Sequence, residues 1–355
     1  MKLLTMYPVV FGENFPLVLL GCFCCSFVLS ALGVRLLIHF LGKLGKFQPI
    51  RIEGPESHQN KVGIPTMAGI AVSLSMALNI LLFCDIKSPP TMVALYLIAV
   101  FSAIGLADDA IKVFYGDTRG FRGSKKLILQ LFFTALGLIY LGYRNPEYIR
   151  AELLVPLSNS RISLASLTPL FWMLIICGSA NATNMTDGLD GLLAVPVIVI
   201  SATFMVMLMA PGSREYFYSA LDPDMMSDLV VILLSMLASF AGFFIYNAHP
   251  AKIFLGDVGS LMVGALLCYI AILMGVELFY ALSALLFIFE ILSTMLQVGY
   301  FKITHGKKLF KMSPFHHHLE KSGMAEKDIV TSLWLFNVLC SFLALVLFHF
   351  TSGKS

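Results

Sequence analysis

Ten apolar runs constrain the fold of this chain more than any other feature of its sequence. They cover residues 16–41, 66–84, 92–107, 127–143, 164–184, 191–210, 229–248, 259–276, 278–301 and 330–350. A helix needs about 20 predominantly apolar residues to cross the hydrocarbon core of a bilayer, and only helices and closed barrels satisfy their backbone hydrogen bonds there. The runs therefore predict an all-α polytopic integral membrane protein with about ten transmembrane helices, folded as a single transmembrane domain over residues 1–355.

The composition supports this fold class and excludes others. Apolar residues make up 58% of the 355 residues, and charged residues make up 13%, which is about half of the charged fraction of soluble domains. A disordered chain and a soluble globular domain are thereby excluded. The formal net charge is +3, too small for a nucleic-acid-binding protein that relies on overall basicity, so we expect the lipid bilayer but no nucleic acid as a partner.

The distribution of lysine and arginine between alternate loops predicts the orientation. The loops 42–65, 109–126, 185–190, 249–258 and 302–329 hold sixteen of these residues, whereas the other loops and both termini hold seven. Lysine and arginine accumulate in the cytoplasmic loops of membrane proteins. We therefore expect the first set of loops in the cytoplasm and both termini on the outer, periplasmic side.

Polar residues that are unusual for a membrane protein gather at the predicted cytoplasmic helix ends. The carboxylates that border hydrocarbon there are those of Asp108, Asp109, Asp187, Asp190 and Asp257. Unpaired carboxylates in such a place are costly, and five on one face would repel one another unless a cation joined them. Mg²⁺ prefers oxygen ligands, typically one or two carboxylates together with substrate phosphates. The cluster therefore indicates a Mg²⁺ site at the cytoplasmic membrane surface.

Basic side chains and helix ends near these carboxylates suit a phosphate-rich ligand. The lysines in question are Lys61, Lys112, Lys125 and Lys126. Several helices are predicted to begin on the same face, where their unpaired N–H groups favour anions. We therefore expect a soluble polyphosphate substrate at this site, with the membrane supplying the other reactant.

Roles other than metal or phosphate binding remain open for these and other polar residues. Asp108 and Asp109 also fit a solvated helix end, and Asp257 also fits an N-terminal helix cap. The histidines 316–318 fit a Zn²⁺ site poorly, because consecutive histidines cannot all point at one ion. Phosphate contact or proton transfer is the preferred interpretation for them.

Glu290 lies inside an apolar run, on one helical face with Ser293 and Gln297. An acid in such a place fits a functional site, and it equally fits a polar contact between helices. Gln297, two turns further along the helix, is expected near enough to the cytoplasm to reach a ligand.

Five stretches, taken in order, resemble one enzyme family. They are residues 63–69, Asp108-Asp109 with Lys112, residues 181–192, Asn247 with residues 254–260, and residues 313–320. The set resembles the phospho-N-acetylmuramoyl-pentapeptide transferase (MraY) family, within the polyprenyl-phosphate N-acetylhexosamine-1-phosphate transferase superfamily. The last stretch, Ser-Pro-Phe-His-His-His-Leu-Glu, resembles the muramoyl-pentapeptide branch in particular.

The resemblance implies an activity and a location. Members of the family transfer phospho-MurNAc-pentapeptide from UDP-MurNAc-pentapeptide to undecaprenyl phosphate, which gives lipid I and UMP in the first membrane step of peptidoglycan synthesis. The cofactor is Mg²⁺, and the enzymes lie in the bacterial inner (cytoplasmic) membrane. Whether two copies of this chain form a homodimer stays open.

The resemblance also implies roles, position by position. The catalytic set would be Asp108, Asp109, Asp257 and His316. In that set Asp257 is the metal ligand, the paired acids include a candidate base, and the histidine contacts phosphate or assists proton transfer. The substrate-binding residues would be Lys61, Lys112, Lys126, Asn184, Asp187, Asn247, Phe254, Gln297 and His317. Phe254 would stack on uracil.

Two other functions stay open at this point. A sister transferase that uses UDP-N-acetylglucosamine shares the aspartate motifs. A membrane transporter is the second alternative, but its key residues should lie near the midplane at discontinuous helices. Here most of the unusual polar residues lie at predicted cytoplasmic helix ends.

Overall fold

The architecture is a bundle of apolar helices with one small hairpin. The computed structural model describes residues 15–44, 63–116, 120–146, 152–158, 160–210 and 223–352. The helices are α1 (Phe15–Leu44), α2 (Gly69–Phe83), α3 (Pro89–Tyr115), α4 (Gly123–Arg144), α5 (Thr168–Thr186), α6 (Ala194–Met209), α7 (Pro223–Asn247), α8 (Gly256–Met274), α9 (Glu277–Ser283), α10 (Leu285–Ile303), α11 (Phe315–Glu320) and α12 (Glu326–Ser352).

The prediction of an all-α polytopic membrane protein is confirmed. Within the described residues, eight helices are long and apolar enough to cross a bilayer, and α2 and α6 are shorter apolar helices. Together these ten elements correspond to the ten apolar runs of the sequence. The orientation of the termini stays a prediction.

Two details differ from the apolar runs. The ninth run is broken at Ala284 into the short helix α9 and the longer α10. Between α4 and α5, strands β1 (Glu152–Leu154) and β2 (Arg161–Ser163) form an antiparallel pair. Three-residue strands carry too little alternation to be recognised in a sequence.

Helix α3 continues past its apolar run and carries Asp108 and Asp109 inside its last turns. It ends at Gly116, which adopts a left-handed conformation with φ of 69°, as glycine commonly does at a helix C terminus. The acid pair is therefore held on a helix, and because both residues are buried it is not a solvated helix end.

Helix α8 forms the centre of the bundle, and every residue from Val258 to Met274 is buried. It packs against α3 and α5. A Cβ built on Gly105 of α3 would overlap the carbonyl oxygen of Asp257, the second residue of α8. Glycine at position 105 therefore allows the two backbones to approach closely, with the acid pair one turn further along α3.

The segment after α10 folds back along that helix. Gln297 Oε1 accepts the backbone N–H groups of Leu309 and Phe310, at 3.0 and 2.8 Å. The rings of Phe289 and Phe315 then meet edge to face, with centroids 4.7 Å apart. This return brings α11, and with it the histidine triplet, to the level of Glu290.

Candidate active site

Three carboxylates converge where α3 ends and α8 begins. Asp108, Asp109 and Asp257 each place a carboxylate oxygen within 4.8 Å of the others. Asp108 and Asp109 are buried, and Asp257 is half-buried. We call this group the acid cluster. Hard oxygen donors at such spacing are a suitable donor set for Mg²⁺.

Two lysine ammonium groups lie among these carboxylates, that of the half-buried Lys112 and that of the buried Lys126. Lys112 Nζ is 2.5 Å from Asp108 Oδ2, 3.1 Å from Asp257 Oδ2 and 3.6 Å from Asp109 Oδ1. Lys126 Nζ is 2.5 Å from Asp257 Oδ2 and 3.8 Å from Asp108 Oδ2. Three carboxylates therefore face two ammonium groups, and with all five groups ionised the cluster has a formal charge of −1, which favours a further cation.

The carboxylates of Asp108 and Asp109 also accept hydrogen bonds from backbone N–H groups. Asp108 Oδ1 accepts the N–H of Phe121, at 2.6 Å, so it fixes the loop before α4. Asp109 Oδ2 accepts the N–H of Val258 in the first turn of α8, at 3.2 Å. Helix α8 begins at Gly256 with Leu255 before it, so Asp257 is inside the helix and is not its N-cap.

Asn184 on α5 orients Asp257, so that α5 contributes to the site besides α3, α4 and α8. Its Nδ2 donates to Asp257 Oδ1 at 2.8 Å and to Ser260 Oγ at 2.9 Å. Ser260 Oγ in turn donates to the carbonyl of Gly256, at 2.9 Å. Asn184 is therefore bound to the acid cluster and to the start of α8 in this structure.

Asp187 lies directly after α5 and contacts the same helix end. The backbone N–H of Gly256 donates to its carboxylate. Burial raises the pKa of Asp187 to about 7, the nearby Asp257 charge adds to the rise, and the Gly256 N–H opposes it. Gly256 has φ of 76°, and a Cβ there would lie 2.5 Å from Asp109 Oδ2, so glycine is required beside the cluster.

Two amides expected in the nucleotide pocket are bound to backbone here. Asn247 Oδ1 accepts the N–H of Gly191 at 3.0 Å, and its Nδ2 donates to the Ile253 carbonyl at 3.0 Å. Gln297 is bound at both ends, since its Nε2 also donates to the Phe310 carbonyl at 3.1 Å. Both side chains thus shape loops around the site, and their contact with a nucleotide stays a prediction.

The Phe254 loop is joined to the segment before α2. Phe254 N donates to the Pro65 carbonyl at 2.9 Å, and Ala68 N donates to the Phe254 carbonyl at 3.1 Å. Phe254 is half-buried, and its contact with a nucleotide stays a prediction. Lys61 lies outside the described residues.

The three histidines turn in different directions, as expected for consecutive residues. His316 is fully buried and lies 3.2 Å from Glu290 Oε2 through its Nδ1. His317 Nδ1 is 2.7 Å from Glu320 Oε2, and His318 Nδ1 accepts the N–H of Lys311 at 3.1 Å. The triplet therefore does not form a shared metal site.

Comparison with known proteins identifies the family. Residues 91–275 match the model of glycosyl transferase family 4. The phospho-N-acetylmuramoyl-pentapeptide-transferases of Rickettsia massiliae (strain Mtu5) and Rickettsia akari (strain Hartford) are 39% and 38% identical to the chain over 324 residues, which is 89% of this chain and 89% of each relative. That of Rickettsia felis is 39% identical over the same share.

The chain belongs to the phospho-N-acetylmuramoyl-pentapeptide transferase family. It is accordingly a phosphoglycosyl transferase, and its apolar helices make it a multi-pass protein of the bacterial inner membrane. The names of the relatives do not favour the alternative of an N-acetylglucosamine-1-phosphate transferase. The resemblance found in the five sequence stretches is thereby confirmed.

This transferase also has a second polar group that the sequence did not reveal as a unit. Asp190 Oδ2 lies 3.0 Å from His249 Nδ1 and accepts the N–H of Ala251 at 3.0 Å. Glu326 Oε1 accepts the Asp190 N–H, also at 3.0 Å. His249 follows Asn247 by two residues at the same helix end, and this proximity was the one available signal in the sequence.

Proposed function

We propose that this transferase moves phospho-MurNAc-pentapeptide from UDP-MurNAc-pentapeptide to undecaprenyl phosphate, with release of UMP and formation of lipid I. The observation that carries the proposal is the acid cluster with its two lysines at the end of a membrane-spanning bundle. Such a site can bind a soluble diphosphate while the acceptor phosphate stays anchored in the bilayer. The relatives named for this reaction support the same assignment.

The acid cluster is the proposed Mg²⁺ site. Asp257 would be the main ligand, and Asp108 and Asp109 lie close enough to contribute. The fit rests on three carboxylates with oxygens within 4.8 Å and on the space beside Asp109 that Gly256 leaves open. When bound, the ion would supply positive charge to the diphosphate and to the leaving phosphate.

The lysines are proposed to neutralise the phosphates. Phosphoryl transfer depends mainly on positioning and charge stabilisation, and Lys112 and Lys126 already lie within the cluster. Lys61 is proposed to act beside them. Either Asp108 or Asp109 would accept the acceptor phosphate's proton, in a direct attack or in a route through a covalent aspartyl intermediate.

The nucleotide and the histidines complete the proposal. Phe254 would stack on the uracil ring, and Asn184, Asp187, Asn247, Gln297 and His317 would line or shape the nucleotide pocket. His316 would assist the phosphate chemistry from its buried place beside the Asp187 turn.

A transfer assay tests the proposal. Purified protein in detergent is incubated with undecaprenyl phosphate and UDP-MurNAc-pentapeptide labelled in the peptide, and labelled lipid is extracted. We expect labelled lipid that requires Mg²⁺ and the acceptor. UDP-N-acetylglucosamine should not compete. Efficient transfer from UDP-N-acetylglucosamine in place of the muramoyl substrate would contradict the proposal.

A further inference from the structure

Glu290 and His316 form a buried pair that the proposed chemistry leaves unexplained. Both residues are fully buried. Glu290 Oε2 accepts the backbone N–H of His316 at 3.3 Å and lies 3.2 Å from its ring Nδ1. In the part of the chain that the structure describes, His316 is the one basic side chain within ion-pair distance of Glu290.

The far side of the His316 ring contacts the turn that carries Asp187. A Cβ built on Gly188 would overlap His316 Nε2, so the ring rests against the backbone of that glycine. Gly188 follows Asp187, whose carboxylate accepts the N–H of Gly256 at the start of α8. Consecutive contacts therefore join Glu290 on α10 to the residue that precedes Asp257.

We propose that Glu290 is a positioning residue for His316. It keeps the Nδ1 proton directed toward its carboxylate, so that the imidazole is fixed in one orientation with Nε2 against the Asp187 turn. The inference rests on the proposed function, since it explains how His316 is held where it can assist the transfer.

The physical argument starts from the unfavourable burial of a carboxylate. Burying an ionised group without partners is strongly unfavourable, and an apolar residue would pack α10 more favourably. Glu290 Oε2 accepts the backbone N–H of His316 and lies 3.2 Å from its Nδ1. A proton on that nitrogen is favoured, because an unprotonated Nδ1 would set its lone pair against the carboxylate oxygen. The second nitrogen of a histidine then has its role decided by the bond that the first nitrogen makes.

Steady-state kinetics with a double-mutant cycle test the inference. Glu290→Gln keeps the volume and one acceptor oxygen but loses the charge. We expect about a tenfold or larger loss in kcat, with the KM for the nucleotide sugar within about threefold of wild type, because an interaction specific to the transition state is weakened. In the His316→Ala background, Glu290→Gln should change the residual rate by less than about twofold, since coupled residues are not additive.

Glu277→Gln is the matched control. Glu277 is another buried glutamate, at the opposite end of the bundle in the first turn of α9, and its substitution should leave the rate unchanged. Glu290→Gln within threefold of wild type would overturn the inference. The inference would also be overturned if the fold-loss in kcat of the double variant equalled the product of the fold-losses of Glu290→Gln and His316→Ala.

A spectroscopic measurement tests the inference independently of the transferase assay. ¹⁵N NMR of histidine-labelled protein, with the His316 signal assigned by its loss in His316→Ala, should show Nδ1 protonated. A neutral tautomer protonated at Nε2 alone would overturn the inference, even if the Glu290 variants failed to fold. A wild-type protein without transferase activity would contradict the proposed function, while the tautomer would still test the role of Glu290.

Discussion

Lys126 and Asp257 meet between α4 and α8, with Lys126 Nζ 2.5 Å from Asp257 Oδ2. The same carboxylate oxygen lies 3.1 Å from Lys112 Nζ, and the other oxygen accepts from Asn184. Three helices besides its own therefore hold the Asp257 side chain. A residue fixed in this way is already oriented before a ligand arrives, which is what an efficient charge-stabilising site requires.

Asp257→Asn tests the proposed metal ligand. We expect at least about a hundredfold loss of kcat, because a few kcal/mol of lost charge stabilisation corresponds to that factor. The variant should still fold, since α8 does not use Asp257 as its cap. Activity of the purified variant is measured at saturating Mg²⁺.

The control is Asp228→Asn, a buried aspartate that accepts from Thr91 Oγ1 at 2.9 Å and from the Asp85 N–H. Asp228 lies at the end of the bundle away from the acid cluster, so the kcat of Asp228→Asn should stay near that of the wild type. An Asp257→Asn enzyme within tenfold of wild type would refute the assignment.

Lys126→Met should lower turnover and strengthen cation binding at the same time. Loss of one ammonium leaves three carboxylates facing one lysine, so the more negative cluster should attract a divalent cation more strongly. We expect about a tenfold or larger fall in kcat, equivalent to about 1.4 kcal/mol or more. Mn²⁺ binding without substrate, followed by electron paramagnetic resonance, provides the second measurement.

Lys125→Met is the matched control, because Lys125 is the adjacent lysine and is exposed. Lys125→Met should leave kcat and the affinity for Mn²⁺ near their wild-type values. Weaker Mn²⁺ binding in Lys126→Met would show that this lysine does not compete with a cation for the carboxylates.

Gly105→Ala should disturb the site by separating α3 from α8. The added methyl group would overlap the Asp257 carbonyl, and overpacking of this kind typically costs about 1–3 kcal/mol of stability. We expect a lower midpoint of thermal unfolding together with a reduced rate, as the acid pair moves away from Asp257. In Gly178→Ala the new Cβ meets nothing within 4 Å, so that variant should retain both stability and rate.

Glu277 should make the stability of the protein depend on pH. Burial raises its pKa from 4.5 to about 7, and contacts with its own backbone N–H and the Trp172 side chain oppose the rise. The folded state thus binds the proton more tightly than the unfolded state, and this stabilisation is complete below pH 4.5. It is lost as the pH rises toward and through 7.

The size of the effect is of the order of 3 kcal/mol, at about 1.4 kcal/mol for each pKa unit. Glu277→Gln should remove it, so that the midpoint of thermal unfolding varies less between pH 5 and 8 than in the wild type. An unchanged difference between these two pH values would show that another group is responsible.

Much of the fold follows from the sequence because the bilayer leaves few alternatives. A run of about 20 apolar residues has to form a helix in lipid, where no water can satisfy its backbone. The positions of Asp108 and Asp257 at the ends of such runs placed both near one membrane surface. The ordered motifs around them were sufficient to indicate the family.

Contacts between residues far apart in the sequence were decided by the tertiary structure alone. No local pattern shows that Asn247 and Gln297 bind backbone, that His249 meets Asp190, or that the chain after α10 returns so that His316 reaches Glu290. The sequence by itself determined which segments are helices and which ends are polar, because helix formation in lipid depends on local hydrophobicity. Which polar ends meet depends on close helix packing, such as the approach at Gly105, and only the folded molecule determines that.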